Sequence, residues 1–346
     1  MKRYGVLIVD DSAFMRRAIN LLFDMDSDFF VVGIARNGEE AIEKIRRLKP
    51  DVVTMDVEMP EMDGIKALEH IMKSDPVPVV MLSVQTGDET ASTLKALELG
   101  AVDFFLKSNL IQDVDNQDTI RDFLDRVKVA AGANIARQQA IVDDHHVDQL
   151  IQGKRVVSMD LVIIGCSTGG PSALQSILPR FPSDFPAGIV VVQHMPPGFT
   201  KPLADRFDHI CNLTVKEAED GDIVGPGTIY IAPAGSHLIF QKTSGMVQLK
   251  IQSEVAEKHL YKPSVDVTLG SAAPIYGNRL LSVILTGMGI DGLHGCGEVK
   301  ARGGRVITES ENSCVVYGMP KAVYEAGLAD KQVLLNHVYQ HIIAEI

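Results

Sequence analysis

Two groups of residues in this chain have the types and spacing to do chemistry. The first is acidic: Asp10, Asp11 and Asp56, followed by the hydroxyl of Ser83 and the ammonium of Lys107. Three carboxylates held close repel one another, and a hard divalent cation with oxygen ligands relieves that repulsion. Such a pocket can take a phosphoryl group onto Asp56. Mg2+ and Lys107 would neutralise charge on the transferring group, and Ser83 would hydrogen-bond the product. The second group centres on Ser167. The run LVIIGCSTGGP (161–171) is apolar, breaks into a glycine-rich turn and fits the G-x-S-x-G nucleophile pattern. Gly165 and Gly169 permit a sharp turn that lifts Ser167 over a sheet edge, and Pro171 suits the first turn of a following helix. Backbone N–H groups after Ser167, beginning with Thr168, would then stabilise an oxyanion. A tight strand–helix turn with a capping serine is the competing reading. A nucleotide loop fits less well, because the turn reads G-x-x-x-G-G and lacks a Lys-Ser/Thr ending.

A serine nucleophile needs a base, and the base needs an orienting group. His194 directly follows IVVVQ, at the carboxyl end of the next predicted strand. Asp291 lies in LTGMGIDG, a glycine-rich turn after the predicted strand LLSVIL. Both reach the rim that carries Ser167. His237, His259 and His294 stay candidates by residue type, although His294, one turn into the next predicted helix, reads as solvated or capping. The chain order Ser, His, Asp differs from that of the α/β-hydrolases, chymotrypsin and subtilisin, so none of those folds is the template. Met195–Gly198 (MPPG) reads as either a substrate-contacting loop or a rigid turn. Lys262–Asp266 reads as a helix entry with a Ser or Asp cap, and DDHH at 143–146 as solvated.

The elements that must position these residues come in two sets. In residues 1–107, short β-branched runs at Val6–Val9, Phe30–Ile34, Val52–Met55, Val79–Leu82 and Val102–Leu106 alternate with helical patterns. Asn37 with Glu40 three residues on is a capping box. Five strands separated by amphipathic helices predict a doubly wound parallel sheet, whose sites form at the carboxyl ends of its strands. A last helix is predicted from about Gln117 to Ala136. The polar stretch 137–159 has no period and reads as a linker. Strands follow at Leu161–Ile164, Ile189–Val192, Thr228–Ile231, Leu280–Leu285 and Arg305–Thr308, with a hairpin turning at Ser244-Gly245. The second half is therefore a larger, mostly parallel α/β domain with an antiparallel excursion. A net charge of −12 argues against a nucleic-acid surface. No run reaches the length of a membrane span and the start does not read as a signal peptide, so the expected setting is cytoplasmic, with the four cysteines as free thiols.

VLIVDDSAFMRR, DVVTMDVEMPEMDG, VVMLSV and GAVDFFLKS resemble the flavodoxin-like receiver domains of bacterial response regulators, over residues 1–125 with the last helix extending to about 136. The resemblance implies Asp56 as phosphoacceptor. It places a Mg2+ site on Asp10, Asp11, Asp56 and the backbone carbonyl of Glu58. Ser83 and Lys107 sense the phosphoryl group, and Phe104 takes the place of the aromatic switch residue. Ser108 stands where that family usually has proline, so the loop there is expected to be rearranged. GCSTGGPSAL, VVQHMPPGFT, AEDGDIVGPGTIYIAP, KPSVDV, LTGMGIDG and VVYGMP resemble the protein-glutamate methylesterases of bacterial chemotaxis, over 160–346. This implies Ser167 as nucleophile, His194 as general base, Asp291 as its orienting carboxylate, and the N–H of Met288 beside that of Thr168 in the oxyanion hole. Cys166, in place of a more usual alanine, is expected to be a tolerated buried residue. The implied activity is hydrolysis of glutamate γ-methyl esters on methyl-accepting chemoreceptors, with glutamine deamidation, and the ester reaction needs no cofactor. Phosphorylation by a chemotaxis histidine kinase would activate it. The implied partners are that kinase and the receptors, which give the protein its only attachment to the membrane. A receptor-docking regulator, or an esterase with a substrate outside chemotaxis, is the alternative.

Overall fold

The computed structural model describes residues 3–84, 87–112, 117–133, 159–243, 245–255 and 259–346. The chain divides into two compact units, Met1–Ala136 and Arg137–Ile346.

In the first unit, strands β1 (Tyr4–Val9), β2 (Phe29–Ala35), β3 (Val52–Asp56), β4 (Val79–Ser83) and β5 (Asp103–Leu106) form one sheet in the order β2-β1-β3-β4-β5. Every pairing is parallel. Helices α1 (Ala13–Asp24), α2 (Gly38–Leu48), α3 (Gly64–Ser74) and α4 (Gly87–Glu98) make the crossovers, and α5 (Lys107–Gln112) and α6 (Gln117–Ala131) follow β5. The central strands are mostly apolar because helices cover both faces of such a sheet, and Val6, Leu7, Val52, Val53, Val79 and Val80 are fully buried. Asn37 caps α2 by accepting the Glu40 N–H at 2.9 Å, while the Glu40 carboxylate bridges to Lys44 at 2.7 Å. Ser108 lies in the first turn of α5, which the chain enters directly at Lys107. Helix α6 stops at Ala131, before Gly132, short of the expected Ala136. The predicted linker, Met159 excepted, and the DDHH stretch lie outside the described residues.

The second unit holds a seven-stranded parallel sheet. It is built from β6 (Leu161–Cys166), β7 (Gly188–Gln193), β8 (Thr214–Glu217), β9 (Thr228–Ile231), β12 (Leu280–Ile284), β13 (Arg305–Glu309) and β14 (Lys331–Val333), in the order β14-β13-β12-β6-β7-β9-β8. A separate hairpin pairs β10 (His237–Thr243) with β11 (Met246–Gln252). Thr243 lies opposite Met246, on either side of the Ser244-Gly245 turn that the sequence predicts, of which Ser244 lies outside the described residues. Helices α7 (Gly170–Ile177), α8 (Thr200–Asp208), α9 (Val265–Tyr276), α10 (Leu293–Ala301), α11 (Met319–Glu325) and α12 (Leu335–Glu345) pack against these strands. Two strands, β8 and β14, have no counterpart in the sequence reading. Both are edge strands, short and partly exposed, so they lack the continuous apolar run that marks a central strand. In each sheet the first strand has its successors on both sides, so both β1 and β6 sit where the strand order reverses. Ligand sites of open α/β sheets form at the carboxyl ends of strands at such a point.

Candidate functional sites

The receiver-like pocket lies at the carboxyl ends of β1 and β3. Asp10 follows β1 and is fully buried, Asp11 is exposed, and Asp56 ends β3 with 5% of its surface exposed. One oxygen from each carboxylate lies within 4.8 Å of the others. Lys107 Nζ reaches Asp10 Oδ2 at 2.8 Å and Asp56 Oδ2 at 2.6 Å. Three carboxylates therefore face one ammonium, and the site keeps an excess of negative charge on hard oxygen donors, which suits a divalent cation. Burial pushes the Asp56 carboxyl up to about 7, with Asp10 and Asp11 adding to the effect and Lys107 opposing it. Burial works against the Lys107 ammonium too, yet the two aspartates outweigh it and hold its pKa above the usual lysine value.

Around this pocket, the Ser83 hydroxyl accepts a hydrogen bond from Thr93 Oγ1 at 2.8 Å and lies 3.1 Å from the Val84 carbonyl. It is thus tied into α4. Phe104 is buried on β5, and Glu58 is exposed two residues beyond Asp56.

The serine site is built on three neighbouring strands. Cys166 of β6 and Gln193 of β7 are register partners, so Ser167 and His194 leave adjacent strand ends about 4.8 Å apart. The His194 N–H donates to the Cys166 carbonyl at 3.1 Å. Beyond β12, on the other side of β6, the chain returns with Asp291, whose Oδ2 lies 2.8 Å from His194 Nε2. An ionised carboxylate can only accept, so Nε2 carries the proton. Nδ1 is then the basic nitrogen, and it has no hydrogen-bond partner among the described residues. Asp291 also accepts from Ser264 Oγ (2.9 Å) and from the N–H groups of Val265 (2.7 Å), Asp266 (3.0 Å) and Gly292 (3.1 Å). Burial opposes its ionisation, but the bond to His194 and these donors hold its pKa well below the usual carboxylate range.

Ser167 itself is 6% exposed. The helix after it is capped by Gly169 at φ 78°, with no side-chain cap, and the turn closes through the Gly170 N–H to the Ser167 carbonyl at 2.7 Å. The hydroxyl of Ser167 is therefore not spent on capping, which removes the bland reading of this turn. Gly287 presses against it, since a Cβ there would lie 2.9 Å from Ser167 Cβ. Met288 is the next residue in the chain. Cys166 is fully buried with its thiol 3.0 Å from Gln193 Oε1, and burial pushes that thiol far above its ordinary pKa, so it is inert. Among the other histidines, His237 is buried against His259 and His294 is exposed.

Two supporting residues, Gln193 and Tyr261, escaped the sequence reading, and a third, Ser264, has a second role there. Gln193 Nε2 ties together the carbonyls of Ser167 (3.0 Å) and His194 (2.9 Å). Tyr261 stacks on the His194 ring, with centroids 4.2 Å apart and planes inclined by 13°. Ser264 caps α9, as the sequence predicts, and also holds Asp291.

A family profile described as response regulator receiver domain matches residues 6–117, and one described as CheB methylesterase matches residues 162–342. A phosphoacceptor-type unit followed by an esterase-type unit is thus the class that the two sites and the two profiles define. A relative from Oleidesulfovibrio alaskensis, named protein-glutamate methylesterase/protein-glutamine glutaminase 1, is 44% identical over 364 residues, with 98% of both chains covered. Another from Thermotoga maritima, a protein-glutamate methylesterase/protein-glutamine glutaminase, is 46% identical and covers 94% of this chain and 93% of its own. The crystal structure of the Thermotoga maritima CheB methylesterase catalytic domain is 49% identical, with a TM-score of 0.53, over 55% of this chain and 100% of that one. The chain belongs to the CheB methylesterase family. No helix among the described residues is long and apolar enough to cross a membrane.

Proposed function

We propose that the chain is a phosphorylation-activated protein-glutamate methylesterase that also deamidates glutamine, acting on chemoreceptors. Ser167 Oγ attacks the γ-carbonyl of a glutamate methyl ester as its proton passes to His194 Nδ1. The N–H groups of Thr168 and Met288 receive the oxyanion. Collapse of the tetrahedral intermediate expels the methoxy group, which takes the proton from His194 and leaves as methanol. Water, deprotonated by the same nitrogen, then attacks the acyl-enzyme and releases glutamate and free serine. With a glutamine substrate the leaving group is ammonia and the steps are the same. Asp291 holds the ring and stabilises the imidazolium. The observation that carries this reading is the His194–Asp291 hydrogen bond at 2.8 Å, with Nδ1 left without a partner one strand away from Ser167. Ser167→Ala should abolish methanol release from methylated receptor membranes; retained turnover would refute the nucleophile assignment.

In the first unit Asp56 is the phosphoacceptor for a partner histidine kinase. Asp10, Asp11, Asp56 and the carbonyl of Glu58 would hold Mg2+, which supplies charge neutralisation at the transferring group. Lys107 pairs with the phosphoryl oxygens, and Ser83 turns its hydroxyl proton from the Val84 carbonyl to hydrogen-bond them. Phosphorylation shifts the population of the chain towards an active arrangement.

A further inference from the structure

The floor beneath the nucleophile turn is organised by one residue, Thr286. Its carbonyl accepts the Ser167 N–H at 3.0 Å. Its hydroxyl lies 3.0 Å from the Thr168 carbonyl and accepts the Val316 N–H at 2.9 Å. Its own N–H donates to Glu309 Oε2 at 2.8 Å. Glu309 ends β13 and has no exposed surface. Its other oxygen, Oε1, has no hydrogen-bond partner among the described residues, and no cation acts on the carboxyl. Burial pushes this carboxyl up to about 7, so the site tolerates it best uncharged.

A fully buried carboxyl without a cation is a costly way to fill space, and an apolar side chain of similar volume would be at least as stabilising. What an apolar residue cannot do is fix the Thr286 peptide. Through the carbonyl and the hydroxyl of Thr286 the amide of Ser167 and the carbonyl of Thr168 are held, and with them the direction of the Thr168 N–H between the two. We propose that Glu309 is a positioning residue for the esterase site: a buried acceptor that orients Thr286 and so sets the aim of the Ser167–Thr168 backbone at the reacting carbonyl. The proposal rests on Ser167 being the nucleophile. It assigns the role to an acceptor oxygen and not to a charge, so the amide oxygen of glutamine should serve as well.

The test uses the full chain and two readouts: turnover of methylated receptor membranes, resolved into kcat and KM, and the rate of Ser167 labelling by a fluorophosphonate. Glu309→Leu should lower kcat and the labelling rate about 100-fold with KM unchanged, since small misplacement of reacting groups costs that much. Glu309→Gln should stay within about threefold of the starting protein. Thr286→Val, which removes only the hydroxyl, should lose about tenfold. Wild-type rates in Glu309→Leu would overturn the proposal, and so would a Gln variant as impaired as the Leu variant. Should Glu309→Leu fail to fold, as judged by its melting curve, the Gln and Val variants decide: an impaired Gln variant, or a Val variant at wild-type rate, overturns the role. Failure of the nucleophile reading looks different, because Ser167→Ala would then turn over and the starting protein would not label at Ser167.

Discussion

The two halves of this chain place a reactive oxygen at the same kind of address and then treat it in opposite ways. Asp56 and Ser167 each stand where a parallel sheet reverses its strand order. Around Asp56 the structure gathers charge: three carboxylates whose oxygens lie within 4.8 Å of one another, with Lys107 bridging two of them. Around Ser167 it gathers a single ionised group, Asp291, saturated by donors and one strand removed. On the proposed reading, the acceptor of a highly charged phosphoryl uses a counter-charge that can be recruited and released, and a neutral hydroxyl acting as nucleophile uses a fixed relay. The same topology serves both because it delivers loop residues to a rim and leaves their chemistry open.

The largest effect should come from breaking the relay. Asp291→Asn keeps the size of the side chain, but its NH2 must face one of the donors that now converge on the carboxylate, and His194 loses the acceptor that fixes its tautomer. We expect kcat to fall by about 10⁴-fold with little change in KM, as for loss of the orienting carboxylate in a serine triad. A loss of only severalfold would mean that another group orients His194.

The next test sharpens the contrast between two buried carboxyls that share a value. Burial holds both Asp56 and Glu309 up at about 7; at Asp56 two neighbouring carboxylates add to it and Lys107 opposes it, whereas no cation acts on Glu309. For a raised carboxyl the folded state binds the proton more tightly. Glu309 thus contributes stability that is complete below its ordinary value of 4.5 and is lost as the pH rises to about 7. The total change is roughly 3 kcal/mol at most. Calorimetric melts of the second unit should show this decline, and Glu309→Gln should flatten it. Saturating Mg2+ should flatten the corresponding decline of the first unit, because a cation favours the ionised Asp56, and leave that of the second unit unchanged. An equal response of both units to Mg2+ would undo the distinction.

The coupling between the halves should be smaller than either. Asp56→Asn retains the unphosphorylated activity and abolishes the rise produced by a small-molecule phosphodonor with Mg2+. That rise is expected to be about tenfold or more, in the range of ordinary coupling free energies. Stimulation surviving in the variant would place the phosphoacceptor elsewhere.

How much of this was legible beforehand follows the same division. The acidic pocket consists of strand-end residues, so five apolar runs and their order suffice to bring Asp10, Asp56, Ser83 and Lys107 to one rim. Ser167 and His194 directly follow the ends of β6 and β7, where that reasoning puts them, whereas Asp291 lies beyond β12 in a loop marked only by its glycines. Their supports were not legible. Gln193 reads as the last residue of a strand, and only the register with Cys166 reveals that its amide spans two carbonyls. Tyr261 reaches His194 from a loop far along the chain, which no periodicity encodes. Glu309 and Thr286 meet because the consecutive strands β12 and β13 pair side by side, a bond that neither strand's own pattern encodes. The edge strands β8 and β14 escaped because partial exposure dilutes the apolar signal. Local pattern reports which residues end a strand, whereas the groups that aim those residues come from contacts between strands.

Ser264 offers the gentlest probe of that distinction, because one hydroxyl serves both levels. Its position before Val265 announces a helix cap, and its Oγ accepts the Val267 N–H at 3.4 Å. The same Oγ donates to Asp291 Oδ1 at 2.9 Å, a bond that no local pattern encodes. If capping were its whole role, Ser264→Ala would cost about 1 kcal/mol of stability and leave the kinetics alone. If the bond to Asp291 matters, the variant also loses about threefold to tenfold in kcat, as expected for one hydrogen bond to a charged group that keeps four other donors. Ser264→Thr, which retains the hydroxyl, should restore both. Melting curves and kcat measured on the same preparations separate the two roles, and a variant destabilised but fully active would confine Ser264 to the helix it caps.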